Sequence, residues 1–457
     1  MESMVDVGPN WPGPETSEAL DELRAYETRG EVYFPNYGTP PVVERASGSY
    51  VQDIEGNTYL DFTSGFAALN LGHCPRKVID AVVIQLNLVH HTAVLPTMPR
   101  VKLVEKLNEI APGPMKHNCR VQFDISGTNA VEIGMKYAKA YTKRPLFLCY
   151  SGAYHGRSHG TLAVTGGAYF KKAFYPILAG AERLPYPYCY RCHYGREYGS
   201  CDMQCLKSLD NMLGNPSFGL VDAARDTNLV AGLIFEACQG SGGMIIPPQE
   251  YWKGVREICD RYDILMIDDE VQMGFGRSGK LFAIETYDTY PDIMVVGKAF
   301  SAGITSNAAV IARNEIMDSF LPAYQNVTFS GNPLGCAASL AMLETLEEEN
   351  VLDNVKTMGS YFLEELKSLE EKHTIIGNVQ GRGLVLGIEF VNDRKTKEPA
   401  SKQAIAIVHE MIPNGLITTI SGPYRNRINV VPPLTVKKDE IDAAIKIMDK
   451  VIAKVAQ

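Results

Sequence analysis

Apolar residues along this chain gather in short runs separated by helix-length stretches, and the spacing of the runs predicts the elements. Residues 51–61 alternate apolar and polar positions around Glu55-Gly56-Asn57, the pattern of a β-hairpin with its turn at the glycine. Further on, Leu146–Tyr150, 230–236, 264–268 and Ile293–Val296 are continuous apolar runs. Runs of that length with little polar alternation predict strands buried on both faces, so 76–335 reads as a large, mostly parallel sheet covered by helices, an α/β domain. Residues 337–349 and Lys438–Val455 carry apolar positions at helical spacing, while 383–390 alternates. Segment 336–457 therefore reads as a smaller α+β domain, and the N-terminal segment 1–75 contributes its hairpin to it. No internal repeat or low-complexity linker interrupts this order.

Composition narrows the partners. With 45% of its 457 residues apolar and 21% charged, the chain has the make-up of a protein with a large core. A net charge of −9 argues against a nucleic-acid or anionic-membrane partner, since neither polyanion attracts an acidic surface without a basic patch. No run approaches the ~20 apolar residues that cross a bilayer. The opening thirty residues lack the basic start and apolar stretch of a secretory signal, so the expected location is the cytoplasm. Ten cysteines in so long a chain are expected mostly as small buried apolar residues, not as a disulfide framework.

Candidate chemistry sits where the apolar runs end. The run that closes on Asp268-Asp269-Glu270-Val271-Gln272 places carboxylates at the carboxyl edge of the sheet, where open α/β folds bind ligands. The next run ends in Gly297-Lys298 and would face the same crevice. A strand-end acid capping a helix and a surface lysine would look the same in isolation. Together, an amine and a carboxylate suit pyridoxal phosphate, which needs one to form a Schiff base and the other to keep its ring nitrogen protonated. Upstream, Ser126-Gly127-Thr128 precedes the helical stretch 133–141 and offers backbone N–H groups, hydroxyls and the positive end of a helix dipole to a phosphate, or else simply caps the helix. Tyr154-His155-Gly156-Arg157 follows the Leu146–Tyr150 strand as an aromatic and polar cluster, or as a structural turn.

In this order the segments resemble the class III aminotransferases, pyridoxal-phosphate enzymes of fold type I, over nearly the whole chain. The resemblance is carried by Gly65-Phe66-Ala67-Ala68-Leu69-Asn70-Leu71-Gly72-His73, Ser126-Gly127-Thr128, Tyr154-His155-Gly156-Arg157, Asp269 to Arg277 with Lys298, and Thr328-Phe329-Ser330-Gly331-Asn332-Pro333-Leu334. Lys298 follows Asp269 by 29 residues (298 − 269), the interval expected in that family. The resemblance implies that Lys298 forms the Schiff base and shuttles the proton, that Asp269 partners the pyridine nitrogen and that Gln272 donates to the phenolic oxygen. It also implies that Gly127 and Thr128 hold the phosphate, that Tyr154 stacks on the ring and that Glu236 lies in the wall beside it. Thr328 would reach the phosphate from a partner subunit, which makes a homodimer, or a dimer of dimers, the functional unit. Phe66 and Arg157 would lie on the substrate side.

The pattern also departs from the 4-aminobutyrate and ornithine branches. Their Gly-Glu-Gly-Gly segment pairs with an arginine just before Pro-Pro-Leu, whereas this chain reads Gln239-Gly240-Ser241-Gly242-Gly243 and has Asn429 before Pro432-Pro433-Leu434. An α-carboxylate would then need another cation, for which Arg157, Arg425 and Arg427 are the candidates, Arg157 otherwise anchoring a loop. A second departure is Cys189-Tyr190-Arg191-Cys192 followed by Cys201 and Cys205. Such spacing could present four thiolates to zinc, or else form disulfides or stay free, and it is similar to an insert in archaeal and some bacterial 4-aminobutyrate aminotransferase-like proteins. The expected reaction is transfer of an amino group from an ω-amino acid, amine or amino acid to pyruvate or 2-oxoglutarate. The alternative is racemisation or epimerisation of an amino acid, which members of the same family also perform.

Overall fold

In the computed structural model the apolar runs become strands of one seven-stranded sheet. Their order across it is Cys119–Asp124, Ala308–Arg313, Ile293–Val296, Leu265–Asp269, Val230–Phe235, Leu146–Tyr150 and Ala181–Leu184. All neighbours run parallel except Ala308–Arg313, which is antiparallel to both of its neighbours. Every residue of Val230–Phe235, Leu265–Asp269 and Ile293–Val296 is buried. Helices cover a parallel sheet on both faces, and burying each large aliphatic side chain there contributes about 1.5–3 kcal/mol.

The strand bounds differ slightly from the runs. One strand stops at Phe235, which frees Glu236, and another shifts to include Asp269. Three strands went unread for physical reasons. Cys119–Asp124 carries Arg120 and Gln122, Ala181–Leu184 is a charged edge strand, and the alanine-rich Ala308–Arg313 suits a helix as well as a strand.

Residues 4–28, 30–31, 38–222 and 227–456 are described, so residues 1–3, 29 and 32–37 of the opening segment lie outside the description. The chain divides into two compact units, Lys77–Glu348 and Met1–Arg76 with Glu349–Gln457. Helix Pro333–Glu348 stays whole in the sheet unit, although the sequence reading divides it at 335/336. In the other unit, Tyr50–Asp53 pairs with Thr58–Asp61 as a hairpin. The Asp53 carboxylate closes its turn by accepting the N–H groups of Glu55 (3.0 Å) and Asn57 (2.8 Å). Leu416–Ile417 extends this sheet in parallel, joining the two chain segments. A second sheet of Ile376–Arg382, Val385–Asp393, Arg427–Val430 and Thr419–Ser421 lies in the same unit, with Lys438–Val455 helical as read.

Helix Gly127–Thr142 shows how the sheet unit positions chemistry. Ser126 is its N-cap, in extended conformation with Oγ accepting the Asn129 N–H at 3.2 Å. Val131, Ile133 and Tyr137 on its apolar face pack with Ile234, Ile267 and Val295 of the sheet. The helix ends at Lys143, which is left-handed at φ +59°. Its start is thereby held at the carboxyl edge of the parallel strands.

Candidate active site

Asp269 ends its strand nearly fully buried, and its two oxygens have different partners. Oδ2 is 2.7 Å from His155 Nδ1, while Oδ1 accepts the Val271 N–H at 3.1 Å. The His155 ring is fully buried, and its Nε2 has no partner among the described residues. Glu236, freed by the end of its strand, turns back to receive the Tyr154 N–H at 3.0 Å and the Gly240 N–H at 2.8 Å. Burial raises the Glu236 carboxyl above its ordinary range, His155 opposes the rise, and the charge of Asp269 adds to it.

Lys298 follows Ile293–Val296 and is held in left-handed backbone at φ +47°, a conformation uncommon for a residue with a β-carbon. Such strain marks a position that the surrounding structure enforces. Burial lowers the pKa of its amine, and the charges of Asp269 and Glu236 oppose that fall. A lysine with a weakened hold on its proton is a better nucleophile at neutral pH.

The phosphate-type loop lies beside this lysine. A β-carbon at Gly127 would stand 2.7 Å and 2.9 Å from the two methyl carbons of Val271, so only glycine allows the helix start to approach the strand end. A β-carbon on Gly297, next to Lys298, would meet the Gly127 α-carbon at 3.5 Å. Thr128 packs closely against the Tyr154 loop, since a β-carbon at Gly156, where φ is +126°, would stand 2.7 Å from its side chain. Gln272 Oε1 occupies the space that a β-carbon at Gly240 would need, beside the N–H that donates to Glu236.

Asp269, Glu236, Lys298, Gly127, Thr128, Tyr154 and Gln272 are thus brought together. Arg157 is exposed, with its guanidinium 5.5 Å from the Tyr154 ring centre and 4.7 Å from that of Phe170. Thr328 lies exposed in the turn before Pro333–Glu348. Phe66 belongs to the other unit, where residues 64–67 all have left-handed φ between +44° and +66°. Asp61 supports that unusual turn by accepting the Thr63 N–H (2.9 Å) and the Ser64 N–H (3.2 Å).

Sequence reasoning missed two features. His155 stood in a quoted motif without a role, because its partner Asp269 lies 114 residues away. Asp268 and Glu270 form a buried acid pair, in which burial and then the charge of Glu270 push Asp268 well above the usual range, and burial raises Glu270 to about 7. Arg427, one of the cations considered for substrate, is instead fully buried against Glu389, Nη1 to Oε2 2.5 Å. Asn429 accepts the Ser421 hydroxyl.

The family model of class-III aminotransferases matches residues 33–452. The chain belongs to that family. It is 37% identical over 420 residues to a leucine/methionine racemase of Thermococcus litoralis, covering 92% of each chain. Over 433 residues it is 36% identical to an adenosylmethionine-8-amino-7-oxononanoate aminotransferase of Geobacter sulfurreducens, covering 90% of this chain and 92% of the relative. An amine transaminase from an uncultivated Pseudomonas species, solved in its PLP-bound form, superposes with a TM-score of 0.84 at 30% identity over 91% of this chain and 95% of that one. The fold-type I reading is therefore borne out.

Class III aminotransferases use pyridoxal phosphate, and the residues fit it. Lys298 could bind the aldehyde, Asp269 the pyridine nitrogen, and the N-terminus of helix Gly127–Thr142 the phosphate. The Gly127 approach brings the helix start beside Gly297, the residue before Lys298, and the Asp269 carboxylate is fixed in place by His155 and the Val271 N–H. Among the described residues no helix is long and apolar enough to cross a membrane.

Proposed function

We propose that this aminotransferase moves an amino group from an ω-amino acid, an amine or an amino acid to pyruvate or 2-oxoglutarate, with Lys298 and Asp269 as its catalytic residues. The observation that carries the reading is the buried meeting of the Lys298 amine, lowered in pKa, with the Asp269 and Glu236 carboxylates beside a helix N-terminus. Bound pyridoxal phosphate supplies an aldehyde for the amino group and a ring that withdraws electrons from the carbon losing its proton. Lys298 Nζ, as a neutral amine, would take that proton and return it to carbon. Asp269, its carboxylate fixed by His155, would hold a proton at the ring nitrogen, and Gln272 would donate to the ring oxygen. Gly127 and Thr128 would hold the phosphate, Tyr154 would cover the ring, and Glu236 orders the Tyr154 and Gly240 backbone. Arg157 and Phe66 select substrate, and Arg157 offers an exposed cation to a carboxylate.

The working unit is proposed as a homodimer or a dimer of dimers in the cytoplasm, with Thr328 serving the phosphate of the neighbouring copy. In support, an apolar groove of about 710 Å³ in the sheet unit is lined by Leu88, Val89, Leu95, Met98 and Leu340, beside exposed Val83, Ile84 and Leu86. Patches of that kind mark protein contacts.

A second reading is racemisation, favoured by the 37% identity to a leucine/methionine racemase. The two reactions share proton removal by Lys298 and differ in where the proton returns. Incubating the protein with single amino donors in the absence of any acceptor separates them. Stoichiometric 2-oxo product, with the coenzyme left in its amino form, supports transfer, whereas loss of optical activity without oxo product supports racemisation. Lys298→Ala is expected to lose at least about a thousandfold in either rate while keeping the fold, on the scale of losing a catalytic nucleophile; near-normal turnover would remove Lys298 from the mechanism.

A further inference from the structure

The segment from Pro185 to Cys205 takes no part in the site above, yet it gathers chemistry of its own. Cys189 and Cys192 flank a tight 3-10 turn, and Cys201 and Cys205 lead into helix Gln204–Gly214. All four thiols are free and half-buried, and together they line one small cavity of about 30 Å³. Cys205, Cys192 and Cys201 all stand close enough to Cys189 to act on it electrostatically. The rest of the wall is mainly tyrosines and prolines, together with His193, Arg196, Met203 and Gln204.

We propose that Cys189, Cys192, Cys201 and Cys205 bind one zinc ion that locks this segment to the sheet unit. The reasoning is chemical. Zinc favours four sulfurs in tetrahedral array, with one Cys-x2-Cys pair on a tight turn and a second pair running into a helix. Two disulfides are the competing fate of four thiols on one cavity, and mass and free-thiol measurements distinguish them from a metal. As the side chains stand, no three His, Cys, Asp or Glu among the described residues are grouped to hold an ion. The sulfurs must therefore turn inward. A cysteine changes well about a single torsion, which moves its sulfur by about 3 Å without moving the backbone. Binding displaces the thiol protons to solvent as the four zinc–sulfur bonds form.

The place of this lock in the fold gives it a consequence. Tyr186, which lines the cavity, donates its hydroxyl to the Glu236 carbonyl oxygen at 2.8 Å. Tyr198, also on the wall, reaches both Glu250 oxygens at 3.1 Å. The ion would hold the segment that supports the Glu236 strand end.

The full-length protein, loaded with its coenzyme and purified without chelator, is assayed for metal by elemental analysis, for free thiols and for intact mass. The expected result is about one zinc per chain, lost in Cys189→Ser and in Cys205→Ser, with a melting temperature lowered by several degrees and restored in the metal-stripped wild type by zinc alone. Cobalt substituted for zinc should give the intense visible bands of a tetrahedral thiolate site, a readout that survives if a serine variant folds poorly. Metal-free protein that ignores added zinc and cobalt overturns the proposal. So does a mass four hydrogens short, which means two disulfides, or zinc content unchanged in both serine variants.

Discussion

Gly127→Ala puts the geometry of the site to a quantitative test. The new β-carbon would stand 2.7 Å from Val271 Cγ1, where ordinary contact begins at 3.4 Å, a shortfall of 0.7 Å (3.4 − 2.7). The Val271 backbone is held by its N–H bond to Asp269 at 3.1 Å, and Gly297 packs against the same Cγ1, where a β-carbon on Gly297 would stand 3.5 Å away. The helix start must therefore move instead, carrying its N–H groups away from the phosphate position. Overpacking of this kind costs about 1–3 kcal/mol. The coenzyme-free protein can relax by shifting the helix start, but the loaded protein cannot, so the strain falls mainly on binding. At 1.4 kcal/mol per factor of ten, pyridoxal phosphate should bind about 5- to 150-fold more weakly. The assay is equilibrium titration of stripped protein with the coenzyme, followed by absorbance. Val271→Ala removes both offending methyls and leaves the valine β-carbon position as the nearest contact, at 3.4 Å. The double variant should thus regain most of the loss when compared with Val271→Ala alone. Wild-type affinity in Gly127→Ala, or no recovery in the double variant, would refute the assignment of this helix start to the phosphate.

Two further outcomes follow from charge. Loading of the stripped protein requires a neutral Lys298, so its rate should rise with pH and level off above a midpoint lower than lysine's ordinary 10.5, since burial favours the uncharged amine; stopped-flow rates with a midpoint at or above that value would contradict the buried site. Arg427→Met removes the cation against which the Glu389 carboxylate is buried, Nη1 to Oε2 2.5 Å, and should destabilise the protein by about 3–5 kcal/mol in denaturant unfolding. Adding Glu389→Leu should recover most of that loss, and if Arg427→Met leaves the midpoint unchanged then the pair is not buried as described.

Much of the larger unit was legible because its signals are local. Continuous apolar runs mean strands covered on both faces, and a serine before a helical stretch means an N-cap, so the runs at 146, 230, 264 and 293 and the helix start at Gly127 could be read without knowing the fold. The pairing of Asp269 with Lys298 was legible because each sits at the end of such a run, and parallel strands bring those ends to one edge. Other strands hid behind charge or alanine. Ala181–Leu184 is a strand by pairing with Leu146–Tyr150, and its own residues argue for nothing.

Tertiary structure alone decided which groups answer one another. His155 and Asp269, Tyr154 and Glu236, and Arg427 and Glu389 are separated by 114, 82 and 38 residues, and no periodicity carries information over such distances. Arg427 shows the consequence: its sequence position suggested a substrate cation, and its burial against a carboxylate commits it to the core. The sequence states which residues can do chemistry, since that is set by side-chain type and local spacing. Which of them are free to do it depends on desolvation and on partners supplied by distant segments, and only the folded chain determines those.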